Sequence, residues 1–160
     1  MSRPEEEIAD LVGLARRVRA LEDGEALRAL MIRGWRALDR KDWETWIACW
    51  TEDAVLEFGP WDRIRGKEAI RATVAKAEAP YPSMQHHILN MHVDVDGDRA
   101  TGIGYMWFVA VTTPGGTSTP YAMGGPYDWD FHRTPSGWRL AHQRLGVLWT
   151  SGEDPLKTFE

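Results

Sequence analysis

Cysteine occurs once in the 160 residues, as Cys49, so neither a disulfide framework nor a cysteine-rich zinc site is available. No run of about 18 apolar residues exists, which leaves no transmembrane helix to expect. Positive charge is also short: Lys and Arg number 19 against 24 Asp and Glu, a net charge of −5. That balance builds no basic face and argues against a nucleic-acid partner. The opening MSRPEEEIADLVGL is too acidic and too interrupted for a signal peptide. Internal repeats, linkers and low-complexity blocks are missing as well. The expectation is a soluble, cytoplasmic protein with one main domain, without a membrane partner.

Tryptophan, by contrast, is abundant, with nine copies that fit either a Trp-rich core or the lining of a cavity or interface. The first half of the chain has helical periodicity. Pro4 to Leu21 carries acids early, arginines late and a stripe of Ile8, Leu11, Leu14, Ala15 and Val18. Leu21-Glu22-Asp23-Gly24 reads as a break, after which about Glu25 to Lys41 predicts a second helix with Leu27, Leu30, Met31, Trp35 and Leu38 on one side. Asp42 is placed to cap a short helix bearing Trp43, Trp46, Ile47 and Trp50. Ala54 to Phe58 alternates like a strand, and Gly66 to Ala79 predicts an amphipathic helix with Ile70, Val74 and Ala77 together, stopped by prolines.

From there the pattern is β: Gln85 to Val95, Arg99 to Thr112, Tyr121 to Arg133 and Trp138 to Trp149, separated by an Asp-Gly turn, a Pro114-Gly115-Gly116 loop and Thr134-Pro135-Ser136-Gly137. Pro126 within the third strand points to a bulge or an edge. Gly102 and Gly104 alternate in a strand, which fits sheet bending or room for a ligand. Gly124-Gly125 is no phosphate loop, since no helix with Lys-Ser/Thr follows. Helices first and a meander of long strands afterwards give an α+β class, with helices packed on a curved sheet.

The stretch with most chemistry is Met84 to Asp98, MQHHILNMHVDVDGD, with adjacent His86 and His87 at the start of a strand. Histidine titrates nearest neutral pH and is a natural proton-transfer group. Strict alternation sets His86, Ile88 and Asn90 on one face and His87, Leu89, Met91, Val93 and Val95 on the other. A valine-lined core would then turn His87 inward, unless a bulge changes the register after Asn90. His86 and His92 are too far apart along a strand to share a zinc ion, and His132 and His142 add no ligand cluster, so no metal site is expected.

Three segments resemble the SnoaL-like branch of the nuclear transport factor 2-like superfamily: RALDRKDWETWIACWTEDAVLEF, GKEAIRATV and HHILNMHVDVDGDRA. YDWDFHRTPSGWRLAHQRL resembles the closing hairpin of the same family. The resemblance spans about Glu25 to Trp149. It implies a cone of curved antiparallel, partly mixed sheet wrapped against N-terminal helices around a pocket. Residues 25–150 would form the cone, 1–24 an added helical extension and 151–160 a polar peripheral tail.

Dehydratases and a dehydrochlorinase of this branch use a His–Asp dyad, which maps onto His86 and Asp39, with Asn90 at the family spacing from His86. An Asp in the last helical turn faces the negative end of the helix dipole, a small cost that a paired role would explain. The resemblance implies a cofactor-independent lyase of dehydratase type, with His86 as general base, Asp39 as its orienter and Asn90 as a polar pocket group. An isomerase or polyketide-type cyclase on the same fold, or a non-catalytic binding or assembly module, are the alternatives. A family tyrosine one turn before the Asp is absent, because Gly34-Trp35 stands there; Tyr105, Tyr121 or Tyr127 would have to replace it. Trp35, Trp43, Phe58, Trp107 and Trp129 are candidate walls for a small hydrophobic, aromatic or polycyclic substrate. His142 and Arg144 share a face of the last strand, turned either to the pocket or to solvent. Apolar residues on both faces of the strands fit a homo-oligomer, a dimer or trimer.

Overall fold

In the computed structural model, residues 3–115 and 119–159 are described; Gly116, in the expected loop, lies outside them. The first departure from expectation is α1, which runs unbroken from Arg3 to Asp39. Gly24 inside a helix costs about 1 kcal/mol without ending it. Asp23 does not serve as a cap. Its carboxylate reaches across to Trp138 Nε1 at 3.1 Å and to Arg133 at 2.7 Å, tying the helix to the last hairpin. The sequence reads as two helices because the apolar stripe changes sides. Leu27, Leu30, Met31, Trp35 and Leu38 are buried, whereas Ile8, Leu11, Leu14 and Val18 lie about half a turn round the helix and are exposed.

α1 ends in a Schellman motif. Lys41 takes a left-handed φ of 60°, its N–H donates to Leu38 O at 2.8 Å, and the Asp42 N–H donates to Ala37 O at 2.9 Å. As expected, Asp42 then caps α2 (Trp43–Ile47), its Oδ1 accepting from Thr45 N at 3.1 Å. After β1 (Trp50–Phe58) and the short β2 (Ile64–Arg65), α3 occupies Lys67–Glu78.

The remaining chain is sheet: β3 (Ser83–Asp96), β4 (Arg99–Val111), β5 (Tyr121–Thr134), β6 (Gly137–Leu145) and β7 (Trp149–Ser151). The order is β2-β1-β6-β5-β4-β3, with β7 also on β5; β1 and β6 are parallel and the other pairs antiparallel. The last expected strand therefore stops at Leu145. Pro126 sits where β5 changes neighbour, between Tyr127 opposite Leu145 of β6 and Gly124 opposite Trp149 of β7, a gap that tolerates a residue without an N–H.

The sheet is curved and unclosed, and helices cover its inner face. Gly102 and Gly104 make room for the protein's own rings rather than for a ligand. A Cβ at Gly104 would come within 3.0 Å of Trp129, and one at Gly102 within 3.0 Å of Phe131. The tail is not peripheral. Asp154 and Phe159 are buried, and the Phe159 ring stacks on Tyr121 and Tyr81 at interplanar angles of 7° and 15°. Asp154 anchors it, accepting from Tyr81 Oη at 2.5 Å and from Phe159 N at 3.0 Å. Among the described residues, no helix is long and apolar enough to cross a membrane.

Candidate active site

The conflict between His86 and the valine alternation is resolved by a bulge. β3 pairs with β4 through Leu89–Tyr105 and resumes at His92–Ile103, so Asn90 and Met91 together oppose Gly104. Asn90 has φ 54°, a left-handed conformation that asparagine adopts more readily than most residues. Met84, His86 and Ile88 point inward before the bulge; Met91, Val93 and Val95 point inward after it. Asn90 itself is exposed, so its expected place in the pocket is corrected: an asparagine four residues after His86 serves the backbone. His87 is exposed too, its Nδ1 lying 3.1 Å from Trp107 O.

β3 is an edge strand, and the carboxylate of Asp39 covers that edge at His86. One oxygen, Asp39 Oδ1, accepts the His86 backbone N–H at 2.9 Å and ring Nδ1 at 2.8 Å. This double contact fixes both the strand and the imidazole to the end of α1, and Nε2 is left facing inward. The His86 side chain is 7% exposed and packs on Phe108, centroid to centroid 4.6 Å. On the Nε2 side lies a carboxylate that the sequence reading did not pick out: Glu78 Oε1, 3.6 Å away at the end of α3. Burial works against a charged imidazole here. The field of Glu78 and the hydrogen bond that the ring donates to Asp39 outweigh it, and His86 is pushed up to about 9. The surroundings thus favour the imidazolium form of the ring.

His86 and Glu78 line an inner cavity of about 40 Å³. Of the expected walls, Trp35, Phe58 and Tyr127 are present, with Trp46, Trp61 and Phe159 added. Trp35 Nε1 donates to Tyr127 Oη at 3.1 Å, so the residue standing near the family's tyrosine position instead orients a tyrosine from β5. Burial raises the Tyr127 phenol, which keeps its proton to donate. Tyr121 is buried under Phe159 and Tyr105 is half exposed outside.

Several other expected wall residues lie elsewhere. Trp107 and Tyr105 alternate onto the outer face, where Trp107 meets Trp149 edge to face at 5.7 Å. Trp129 is fully buried over the two β4 glycines, and its Nε1 donates to Gln143 Oε1 at 2.9 Å. It thus holds Gln143, a cavity residue, without lining the cavity. Trp43 packs half-buried on the core, while Trp46, one turn later, faces the space. His142 and Arg144 are on the outer face, in a charged cluster with Glu57 and Asp130: His142 Nε2 to Glu57 Oε1 is 2.7 Å and Arg144 to Asp130 is 2.9 Å. The bulged residue Ala141 sets that register and turns Gln143 inward. No group of three or more His, Cys, Asp or Glu able to hold a metal occurs among the described residues.

A helix-backed, unclosed curved sheet is the architecture of nuclear transport factor 2-like proteins. Within that superfamily the chain belongs to the SnoaL-like domain family, whose profile matches residues 19–144. An uncharacterised protein of Mycobacterium tuberculosis is 27% identical over 124 residues, 77% of this chain and 84% of that protein. Among solved structures, an NTF2-like protein with a cystatin-like fold from Novosphingobium aromaticivorans is 28% identical, covers 93% of this chain and 96% of its own, and superposes with a TM-score of 0.70. A hexachlorocyclohexane dehydrochlorinase shares the fold at 18% identity, with a TM-score of 0.68 over 91% of this chain and 94% of its own.

Proposed function

We propose that the protein is a lyase of dehydratase type that acts on a small hydrophobic or aromatic molecule by proton transfer, without a cofactor. The observation that carries the reading is the doubly held Asp39–His86 pair at the wall of a cavity, with Nε2 aimed inward. In this reading His86 is the proton-transfer group, Asp39 its positioning residue, and Tyr127 the hydrogen-bond donor that polarises a substrate carbonyl. Neighbours of the same fold are named as dehydratases and a dehydrochlorinase, both eliminations, which supports the reaction class. Two separate ionisable groups in the cavity, His86 and Glu78, favour elimination over isomerisation, where a single group can remove and return the proton.

The aldol adduct of acetone and benzaldehyde is a suitable probe, because its dehydration gives a conjugated enone followed by ultraviolet absorbance. His86→Ala and Asp39→Asn are each expected to lower kcat by roughly 10²-fold or more. Undiminished rates in both would refute the pair.

A further inference from the structure

Glu78 has no part in a His–Asp pair, yet it is the more demanding of the two carboxylates to bury. It is 5% exposed, sits in the last turn of α3 where the helix dipole disfavours negative charge, and lines the cavity. Its Oε2 is buried with no hydrogen-bond partner among the described residues. An unsatisfied buried carboxylate oxygen costs on the order of 1–3 kcal/mol or more. Its field helps hold the His86 ring in the charged form, but Asp39 already contacts that ring at 2.8 Å, and neither contact gives Glu78 Oε2 a partner.

Groups facing the His86 ring are Asp39 from α1, Glu78 from α3, Phe108 from β4 and, further off, Tyr127 from β5. Asp39 and Glu78 thus set two carboxyl groups around one imidazole beside an apolar space. The 3.6 Å between Nε2 and Glu78 Oε1 is too long for a hydrogen bond, which leaves each free to engage a bound molecule.

We propose that Glu78 is a second catalytic residue, the carboxylate that takes the C–H proton of a β-hydroxycarbonyl substrate while His86 acts as the acid for the departing hydroxyl. The proposal rests on the lyase reading above and specifies its substrate class and its division of labour. The substrate carbonyl oxygen accepts from Tyr127 Oη, which acidifies the adjacent C–H. Glu78 removes that proton, and the C–H electron pair becomes the new C=C bond. The C–O bond breaks with its electrons on oxygen, His86 Nε2 gives that oxygen a proton, and water leaves. The Glu78 carboxylic acid then gives its proton to water and neutral His86 takes one from water, restoring both groups with no oxidant or reductant.

Four proteins decide it with the acetone–benzaldehyde adduct: wild type, His86→Ala, Glu78→Gln and Glu78→Asp. Wild-type turnover is expected to be flat near neutral pH and to fall tenfold per unit above about 9, as the acid is lost. A rate that instead climbs toward that pH makes His86 the base and overturns the proposal. Glu78→Gln is expected to lose roughly 10²-fold or more in kcat, together with exchange of the substrate C–H for deuterium from solvent, at unchanged far-ultraviolet circular dichroism. Glu78→Asp, which keeps the carboxylate, regains part of both. Wild-type turnover lost in His86→Ala but kept within threefold in Glu78→Gln overturns the role of Glu78 and leaves the lyase reading standing. An adduct untouched by the wild type removes that reading, and this proposal with it.

Discussion

The ammonium of Lys41 lies 2.6 Å from the carbonyl oxygen of Tyr81, and 2.9 Å from that of Ala79. Lys41 is two residues past Asp39, and Ala79 is the residue after Glu78. One side chain therefore fastens together the helix ends that carry the two carboxylates around His86. It also explains why lysine holds a left-handed position that glycine would occupy at less cost. Lys41→Met keeps that backbone strain and loses both contacts. We expect it to lower stability by about 1–2 kcal/mol in urea unfolding and to shift the His86 titration. A variant unchanged in both would show that the helix ends are set without Lys41.

Stability should depend on pH through His86. Its folded-state value, about 9, lies above the ordinary 6.5 of an exposed imidazole. The contribution is therefore fully present below about pH 6.5 and is lost as pH rises through about 9; it is on the order of 3 kcal/mol. Urea midpoints measured from pH 6 to about pH 10 should fall over that window in the wild type and much less in His86→Gln. Parallel declines in the two proteins would contradict the assignment.

Tyr127 is tested through its phenol. Tyr127→Phe removes the proposed donor and leaves Trp35 Nε1 without its acceptor. The expected result is a kcat on the aldol adduct lower by about 10²-fold, with a stability loss of roughly 1–2 kcal/mol. Trp35→Phe should cost similar stability, while the phenol, no longer oriented, loses less activity. Equal turnover in Tyr127→Phe and the wild type would remove Tyr127 from the reaction.

Asn90 separates a backbone role from a pocket role. Asn90→Gly should match the wild type in stability to within about 0.5 kcal/mol, and Asn90→Ala should lose about 1 kcal/mol. Both should retain activity, because the side chain is outside the cavity. A loss of turnover at unchanged stability would return Asn90 to the site.

The tail makes a further prediction. A cavity of about 40 Å³ is far below the roughly 150 Å³ that accommodates benzene. Phe159, on the wall and held by ring contacts and by Asp154 at the end of the described chain, is the piece best placed to yield. Phe159→Ala should cost about 3 kcal/mol in stability and enlarge the cavity, lowering the KM for an aromatic substrate. A cost under about 1 kcal/mol would place the tail outside the core.

The dyad could be read from residue order: an Asp ending one helix and a histidine opening a strand met as the resemblance implied. The match to Asn90 points to the histidine that faces inward, but for a different physical reason, since a bulge leaves no mark on a periodicity argument except where the alternation conflicts. Glu78 was legible in principle. It stands four residues after Val74, next to the apolar stripe of an amphipathic helix, where a carboxylate has no reason to be unless it is used. The tail was not legible, because a single Phe159 in a polar stretch gives no period to detect. Outer and inner aromatics likewise look alike until the sheet's curvature chooses a side, which is why Trp107 and Tyr105 were grouped with Trp35 and Phe58.

The change of sides along α1 has a thermal consequence. Its first five turns or so project their leucines and isoleucine away from the domain, and Gly13 lies among them. A helix of that length, resting on its own backbone bonds, is marginal in water. Its ellipticity should drain away gradually on warming, ahead of the cooperative melt of the sheet, so that one continuous helix reports two separate transitions.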